Sequence, residues 1–307
     1  MNKFKKKRIS ALLLIVLGIL LTRGVANAAS LSDHVQYGDH YVDRISEASG
    51  TIVYGNDIAS IDASNTDDGY IIAQYHGSAE KAKICLTTPN DTVYTYVITD
   101  SSSVFPLNGG NGDYTVSVYE NVTDDKYRLL FSQELTVNLN DDMDPFLCPN
   151  QRVWYDHDSK VVALGKEIAA ESTDANDYIQ KVYSYITNNF SYDEEKAESV
   201  QNGYIPDVDS VLESKTGICI DFAALMTALL RSQSIPAKLE IGNVGEKYHA
   251  WVSVYFKDTC EVDELHFDAG KWGILDPTCG INNNAKAVKN FVGDGRDRKS
   301  TRLNSSH

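Results

Sequence analysis

The apolar pattern of this 307-residue chain passes from a strand period to a helical one near Asp158, and that change divides the fold in two. Before it, runs rich in Tyr, Val, Ile and Thr at 70–75, 82–87, 92–98, 114–119 and 127–137 read as strands. Turn-forming clusters at 65–69, 89–91, 109–112 and 123–125 separate them. Tyr114, Val116 and Val118 alternate with Thr115, Ser117 and Tyr119, the period of a strand with one buried and one wet face. The expectation is an all-β immunoglobulin-like sandwich over 51–137, after a polar lead-in over 29–50. Residues 138–157, acidic and holding Pro145 and Pro149, read as a linker. The tyrosines of this region either form a ligand surface or fill half-buried strand positions, which suit them.

After Asp158 the stripes are helical. Val161, Leu164 and Ile168 form one; Ile179, Val182, Tyr183, Ile186 and Phe190 form a second, with Thr173 or Asp174 placed to cap it. A short helix is expected over 208–214, and a longer one over 219–232 on which Cys219, Phe222, Ala223, Met226 and Leu230 share a face. Gly217 breaks the chain before that helix and Ile235-Pro236 ends it. Strands follow at 237–241, 249–256, 264–267 and 272–275. The fold class expected for 158–292 is α+β, with helices packed on an antiparallel sheet.

Three residues in this second part carry chemistry. Cys219 opens a helix, where unpaired N–H groups and the helix dipole favour a thiolate and can hold an oxyanion. His249 opens a strand and can take the thiol proton; Asp276 ends a strand and can orient the imidazole. Each alone has an ordinary reading: a core cysteine, a surface histidine, a turn-starting aspartate before Pro277. Gly217, Trp251 and Trp272 are cleft candidates. The glycine leaves room for a substrate backbone, Trp251 shares the strand face of His249, and Trp272 alternates onto the face of Asp276.

Thr216-Gly217-Ile218-Cys219-Ile220-Asp221-Phe222-Ala223, then Leu229-Leu230-Arg231-Ser232-Gln233-Ser234-Ile235-Pro236-Ala237, then His249-Ala250-Trp251, then Trp272-Gly273-Ile274-Leu275-Asp276-Pro277-Thr278 resemble the transglutaminase-like superfamily of papain-like cysteine enzymes over 174–278. The resemblance implies a Cys219–His249–Asp276 triad on a papain-like α+β core. It also implies a β-sandwich of the kind that often accompanies the core in secreted bacterial members. The segment 257–269 is longer than in the shortest relatives. No calcium loop of the EF-hand type is present, so no metal and no cofactor is expected. Members crosslink glutamine to lysine, hydrolyse peptides or amides, or have lost activity. The shared half-reaction is acyl transfer through a thioester. The expected function is therefore cysteine-dependent acyl transfer on protein or peptide amides, hydrolytic or crosslinking. The alternative is an inactive module that binds peptide or cell wall.

Location follows from residues 1–28. A basic stretch over 3–8, an apolar run over 11–21 and Ala26-Asn27-Ala28 are the parts of a secretory signal peptide, with cleavage expected after Ala28. The apolar run is short of the roughly 20 residues that span a bilayer. Those 28 residues hold six basic side chains and no acid, so their removal takes the formal charge from −15 to about −21. A secreted chain so acidic is not expected to hold nucleic acid or membrane by charge; its partners are expected to be protein or peptide substrates, including cell-wall or surface proteins. Of five cysteines, Cys85 lies in a strand run and is expected in the core. One pair among Cys148, Cys260 and Cys279 could bridge, since export permits disulfides. The basic, polar tail 293–307 resembles sequencing-adapter read-through and is expected to be foreign to the natural chain.

Overall fold

The computed structural model describes residues 44–99, 102–244 and 247–281. The expected signal peptide and cleavage point, and the tail 293–307, lie outside them. In the N-terminal part, strands β1 (Val53–Gly55), β2 (Ala59–Asp62), β3 (Tyr70–Tyr75), β4 (Ala82–Thr87), β5 (Val93–Ile98), β6 (Ser102–Pro106), β7 (Gly112–Thr123) and β8 (Lys126–Val137) form two four-stranded antiparallel sheets. Their orders are β1-β2-β3-β6 and β5-β4-β7-β8. Ile61, Ile71 and Phe105 from the first sheet share a core with Ile84, Leu86, Val116 and Val118 from the second. The alternation along β7 holds: Tyr114, Val116 and Val118 are buried while Thr115 and Ser117 face outward.

Cys85 departs from expectation. Ile84 and Leu86 take the inner positions of β4, so the two-residue period turns Cys85 outward, where its sulfur lies 3.4 Å from the Thr95 hydroxyl across the strand pair. No disulfide forms among the described residues: all five cysteines are free thiols. Cys148 is buried and donates to the Asp68 carbonyl at 3.5 Å, which settles it inside the fold and away from Cys260 and Cys279.

Residues 138–157 are closely packed. A 3-10 turn at Asp144–Phe146 leads into buried Leu147, Cys148, Val153 and Tyr155. Gln151 ties this segment to the first part, its N–H donating to Val104 and its amide nitrogen to the Val97 carbonyl at 2.7 Å. Arg231 ties it to the second part, donating from Nη1 to the Cys148 carbonyl at 2.7 Å. Burying a side chain the size of Tyr155 contributes about 2 kcal/mol, so the segment adds to stability beyond its covalent role.

The second part begins with α1 (Lys160–Ala170) and α2 (Ala175–Asn189). Asp174 caps α2 by accepting the Asp177 N–H at 2.9 Å. Then come β9 (Ser191–Tyr192), α3 (Glu194–Ser199), α4 (Val208–Ser214), β10 (Thr216–Gly217) and α5 (Cys219–Arg231). Strands β11 (Ala237–Val244), β12 (Lys247–Phe256), β13 (Cys260–Val262), β14 (Leu265–Phe267) and β15 (Lys271–Leu275) precede a short α6 (Pro277–Ile281). β11, β12 and β15 make one antiparallel sheet in that order. Every residue of α5 from Phe222 to Arg231 is buried, so this helix is the centre of the domain. It packs on Ala250, Val252 and Val254 of β12 on one side and on α1, α2 and α4 on the other. The extra loop at 257–269 is the β13–β14 hairpin, whose Phe267 stacks on Phe256 at 4.2 Å. Among the described residues no helix is long and apolar enough to cross a membrane.

Candidate active site

The site starts from the way α5 begins. β10 pairs in parallel with β9 and delivers the chain to Ile218 in extended conformation, after which Cys219 is the first helical residue. Ile218 has no side-chain oxygen to cap the helix. Asp221 supplies half a cap from inside, its Oδ2 accepting the Ile218 N–H at 2.9 Å. Among the described residues the amides of Cys219 and Ile220 have no hydrogen-bond partner. Two donors therefore point out of the helix end beside a half-buried thiol.

Asp221 is fully buried, and a buried carboxylate is tolerated only when paired. Lys196 of α3 stands 2.6 Å from its Oδ2, and the Tyr204 hydroxyl donates to its Oδ1 at 2.7 Å. Burial would lower the Lys196 pKa, but the hydrogen bonds to Asp221 and Tyr204 raise it. The same carboxylate corrects the expectation for Gly217. A side chain on Gly217 would place its Cβ 2.8 Å from Asp221 Cβ, so the glycine makes room for Asp221 and not for an incoming substrate chain.

His249 lies on β12 and Asp276 directly follows β15. The register Val252↔Leu275 sets Asp276 one rung further, towards His249. Their side chains meet with His249 Nε2 2.8 Å from Asp276 Oδ2. The His249 pKa is raised: burial works against the charged ring, but hydrogen bonds to Asp276, Cys219 and Cys279 outweigh it. The structure thus joins His249 to Asp276 by a hydrogen bond of 2.8 Å and places the Cys219 thiol among the groups that raise the His249 pKa.

Trp251 sits two residues on, its ring 6.4 Å from that of His249 and inclined at 29°. It is buried and donates from Nε1 to Glu240 Oε2 at 3.2 Å. Trp272 is not brought to the triad. It lies four residues before Asp276, roughly 13 Å along the strand. It is held against Phe146 and Tyr255, at centroid distances of 5.2 and 5.5 Å, with Lys238 Nζ 3.7 Å above its ring.

The residue sequence reasoning missed is Cys279. Asp276 caps α6, its Oδ1 accepting the Cys279 N–H at 3.1 Å, and the turn folds the Cys279 thiol back to 3.2 Å from Oδ2. The signal was present: Asp followed by Pro is a helix-start pattern that directs the third residue on towards the carboxylate. Burial raises the Cys279 pKa, with the Asp276 charge adding to it and the hydrogen bond to His249 opposing it. His249, Asp276 and Cys279 offer ligand atoms within 4.8 Å of one another. The contacts of 2.8 and 3.2 Å are hydrogen-bond lengths, whereas donors around a tetrahedral Zn²⁺ stand about 3.4 Å apart.

Residues 162–277 match the model of the transglutaminase-like superfamily. Among curated proteins, the uncharacterized protein YebA of Bacillus subtilis (strain 168) is 24% identical over 202 residues, which is 60% of this chain and 25% of that protein. The chain thus matches about a quarter of that relative's length. Among solved structures, the periplasmic domain of TgpA from Pseudomonas aeruginosa, bound to ethylmercury, aligns with a TM-score of 0.34 at 10% identity, over 75% of this chain and 98% of that one. Red sea bream transglutaminase aligns with a TM-score of 0.31 at 14% identity, over 68% of this chain and 48% of the other. Over residues 162–277 the chain is a transglutaminase-like domain of papain-like fold, with mixed helices and antiparallel strands.

Proposed function

We propose that the protein is a secreted cysteine enzyme that transfers the acyl group of a protein or peptide amide. The observation that carries this reading is the imidazole of His249, hydrogen-bonded to Asp276 at 2.8 Å, with the half-buried Cys219 thiol at the open start of α5. In this reading His249 holds the Cys219 proton, and the thiolate attacks the amide carbonyl. The oxygen of the tetrahedral intermediate faces the open amides of Cys219 and Ile220. The C–N bond breaks, the departing amine takes the proton from His249, and a thioester remains on Cys219. Water then yields a carboxylic acid, or a lysine amine yields a crosslink; either attack returns the thiol. Asp276 keeps the ring oriented and stabilises its positive form throughout.

Secretion is supported by the basic, apolar and small-residue order of residues 1–28. The two N-terminal sheets, in this reading, are an immunoglobulin-like companion that presents substrate to the core. The test is incubation of the chain from residue 29 with casein and a labelled amine, alongside Cys219→Ala. Labelling at position 219 and amide turnover are expected in the parent and absent in the variant; equal turnover by both would refute the reading.

A further inference from the structure

A cavity of about 170 Å³ lies where β5, β6, the segment 150–153 and β11 meet. Cys219, His249 and Asp276 are not among the described residues that line it, so it is a site apart from the candidate active site. Its charge runs against that of the chain. The sequence carries −15 in all, yet the lining holds three cations, Arg152, Arg231 and Lys238, and one carboxylate, Glu240. Glu240 is already engaged, its Oε2 accepting the Trp251 indole N–H at 3.2 Å.

Two of these cations lack a carboxylate partner among the described residues. Arg231 is buried, and its guanidinium donates only to carbonyls, those of Ala237 and Cys148, at 2.7 to 2.9 Å. These bonds leave part of the N–H set of the guanidinium unused. Burial pushes the Arg231 pKa down to about 10, and no carboxylate acts against that. A buried charge without a counter-charge is costly, and an anion in the cavity would supply one. Arg152 is half-buried; its backbone N–H donates to Asn150, but its guanidinium has no hydrogen bond or ion pair among the described residues. Tyr96 stands near that guanidinium, whose charge opposes the rise that burial gives the Tyr96 pKa. The Tyr96 hydroxyl has no hydrogen-bond partner among the described residues either. Two donors thus face the cavity lining with no acceptor.

Much of the remaining wall is aromatic. Tyr94 and Tyr96 stack at 6.4 Å and 6°, Tyr96 meets Phe105 at 5.1 Å, and Phe146 also lines the space. A cavity of about 150 Å³ holds a benzene ring, so this one takes a single ring with a short substituent. A ring without charge would leave the guanidiniums unpaired, and an anion without a ring would leave the aromatic wall unfilled. We propose that the cavity binds a small aromatic carboxylate, its ring against Tyr94, Phe105 and Phe146 and its carboxylate accepting from the Arg152 guanidinium and the Tyr96 hydroxyl. Hydrogen bonds between such charged groups are about twice as strong as neutral ones. The carboxylate belongs either to a free aromatic acid or to the last residue of a polypeptide; the chemistry that recognises it is the same.

The experiment is isothermal titration of the chain from residue 29 with 3-phenylpropionate, which is expected to bind at a single site. 3-Phenylpropionamide keeps the ring and loses the charge; propionate keeps the charge and loses the ring. Each is expected to bind at least about tenfold more weakly. Arg152→Gln is expected to melt at the temperature of the parent when free, to bind 3-phenylpropionate about tenfold more weakly and to lose the rise in melting temperature that this ligand gives the parent. Tyr96→Phe keeps the stacked ring and is expected to weaken binding by a smaller factor. No binding, equal binding of the acid and its amide, or an unchanged affinity in Arg152→Gln overturns the proposal. N-acetylglycyl-phenylalanine separates the two sources. Binding as tight as that of 3-phenylpropionate upholds the site as one for a chain end, and much weaker binding upholds it as one for a free acid. Cys219→Ala is expected to bind like the parent, so the outcome is independent of amide turnover.

Discussion

Cys279 and His249 share one acceptor: Oδ2 of Asp276 lies 3.2 Å from the thiol and 2.8 Å from the imidazole nitrogen. The second thiol therefore helps to hold the carboxylate that orients the ring. Cys279→Ser preserves the donor and is expected to leave stability near the parent. Cys279→Ala removes it and is expected to cost about 1 kcal/mol, read from the urea midpoint at constant slope.

Asp276→Asn keeps the shape of the side chain and removes its charge. The imidazolium then loses its counter-ion, and amide turnover is expected to fall about 10³- to 10⁴-fold. Circular dichroism of the variant should match the parent. Turnover within about threefold of the parent would show that His249 works without Asp276.

The raised pKa of His249 makes stability depend on pH. The folded protein holds the ring proton more tightly than the unfolded chain, where an imidazole titrates near about 6.5. The stabilisation is fully present below that value and is lost as pH climbs through the raised folded value. Urea midpoints of the parent and of His249→Gln are expected to differ most at pH 6 and to converge in alkaline solution. A difference that grows with pH would contradict the assignment.

Lys196 is the cation beside a fully buried Asp221. Lys196→Met leaves that carboxylate with the Tyr204 hydroxyl and the Ile218 amide alone. Stability is expected to fall by about 2–3 kcal/mol, at the low end for a broken buried pair because Lys196 is itself part-exposed. Since Asp221 fixes the start of α5, iodoacetamide labelling of Cys219 should slow in the same variant.

Much of this architecture is legible in the sequence, and the failures have physical causes. The stripe from Ile179 to Phe190 names its helix because one-sided burial leaves a period, whereas the run from Cys219 onward is apolar nearly all round because that helix is buried on every side. α3 has no such stripe: all six of its residues lack full burial, and it exists to bring Lys196 to Asp221. Cys85 reads as a core residue in the sequence yet faces outward, because a strand pattern gives the period but not which phase points inward. Gly217 suggested an open cleft because the residue that fills its space, Asp221, lies one helical turn away and only the folded turn shows the contact. Trp272 alternates with Asp276 in sequence yet is held by Phe146, from a segment that reads as a linker. Cys279 reads as a disulfide candidate in the sequence, whereas its place at the capping carboxylate shows only in the folded turn.

The buried helix α5 has a consequence at a distance. Its first residue is the nucleophile and its last, Arg231, holds the Cys148 carbonyl of the segment joining the two parts of the chain. Thirteen helical residues span about 18 Å between first and last. Such a rod, gripped along its length, has no slack with which to absorb a displacement. A tug on the N-terminal sheets, as when a bound polymer is pulled taut, would reach Cys219 as an axial shift of the sulfur and not as a local loosening of the joint.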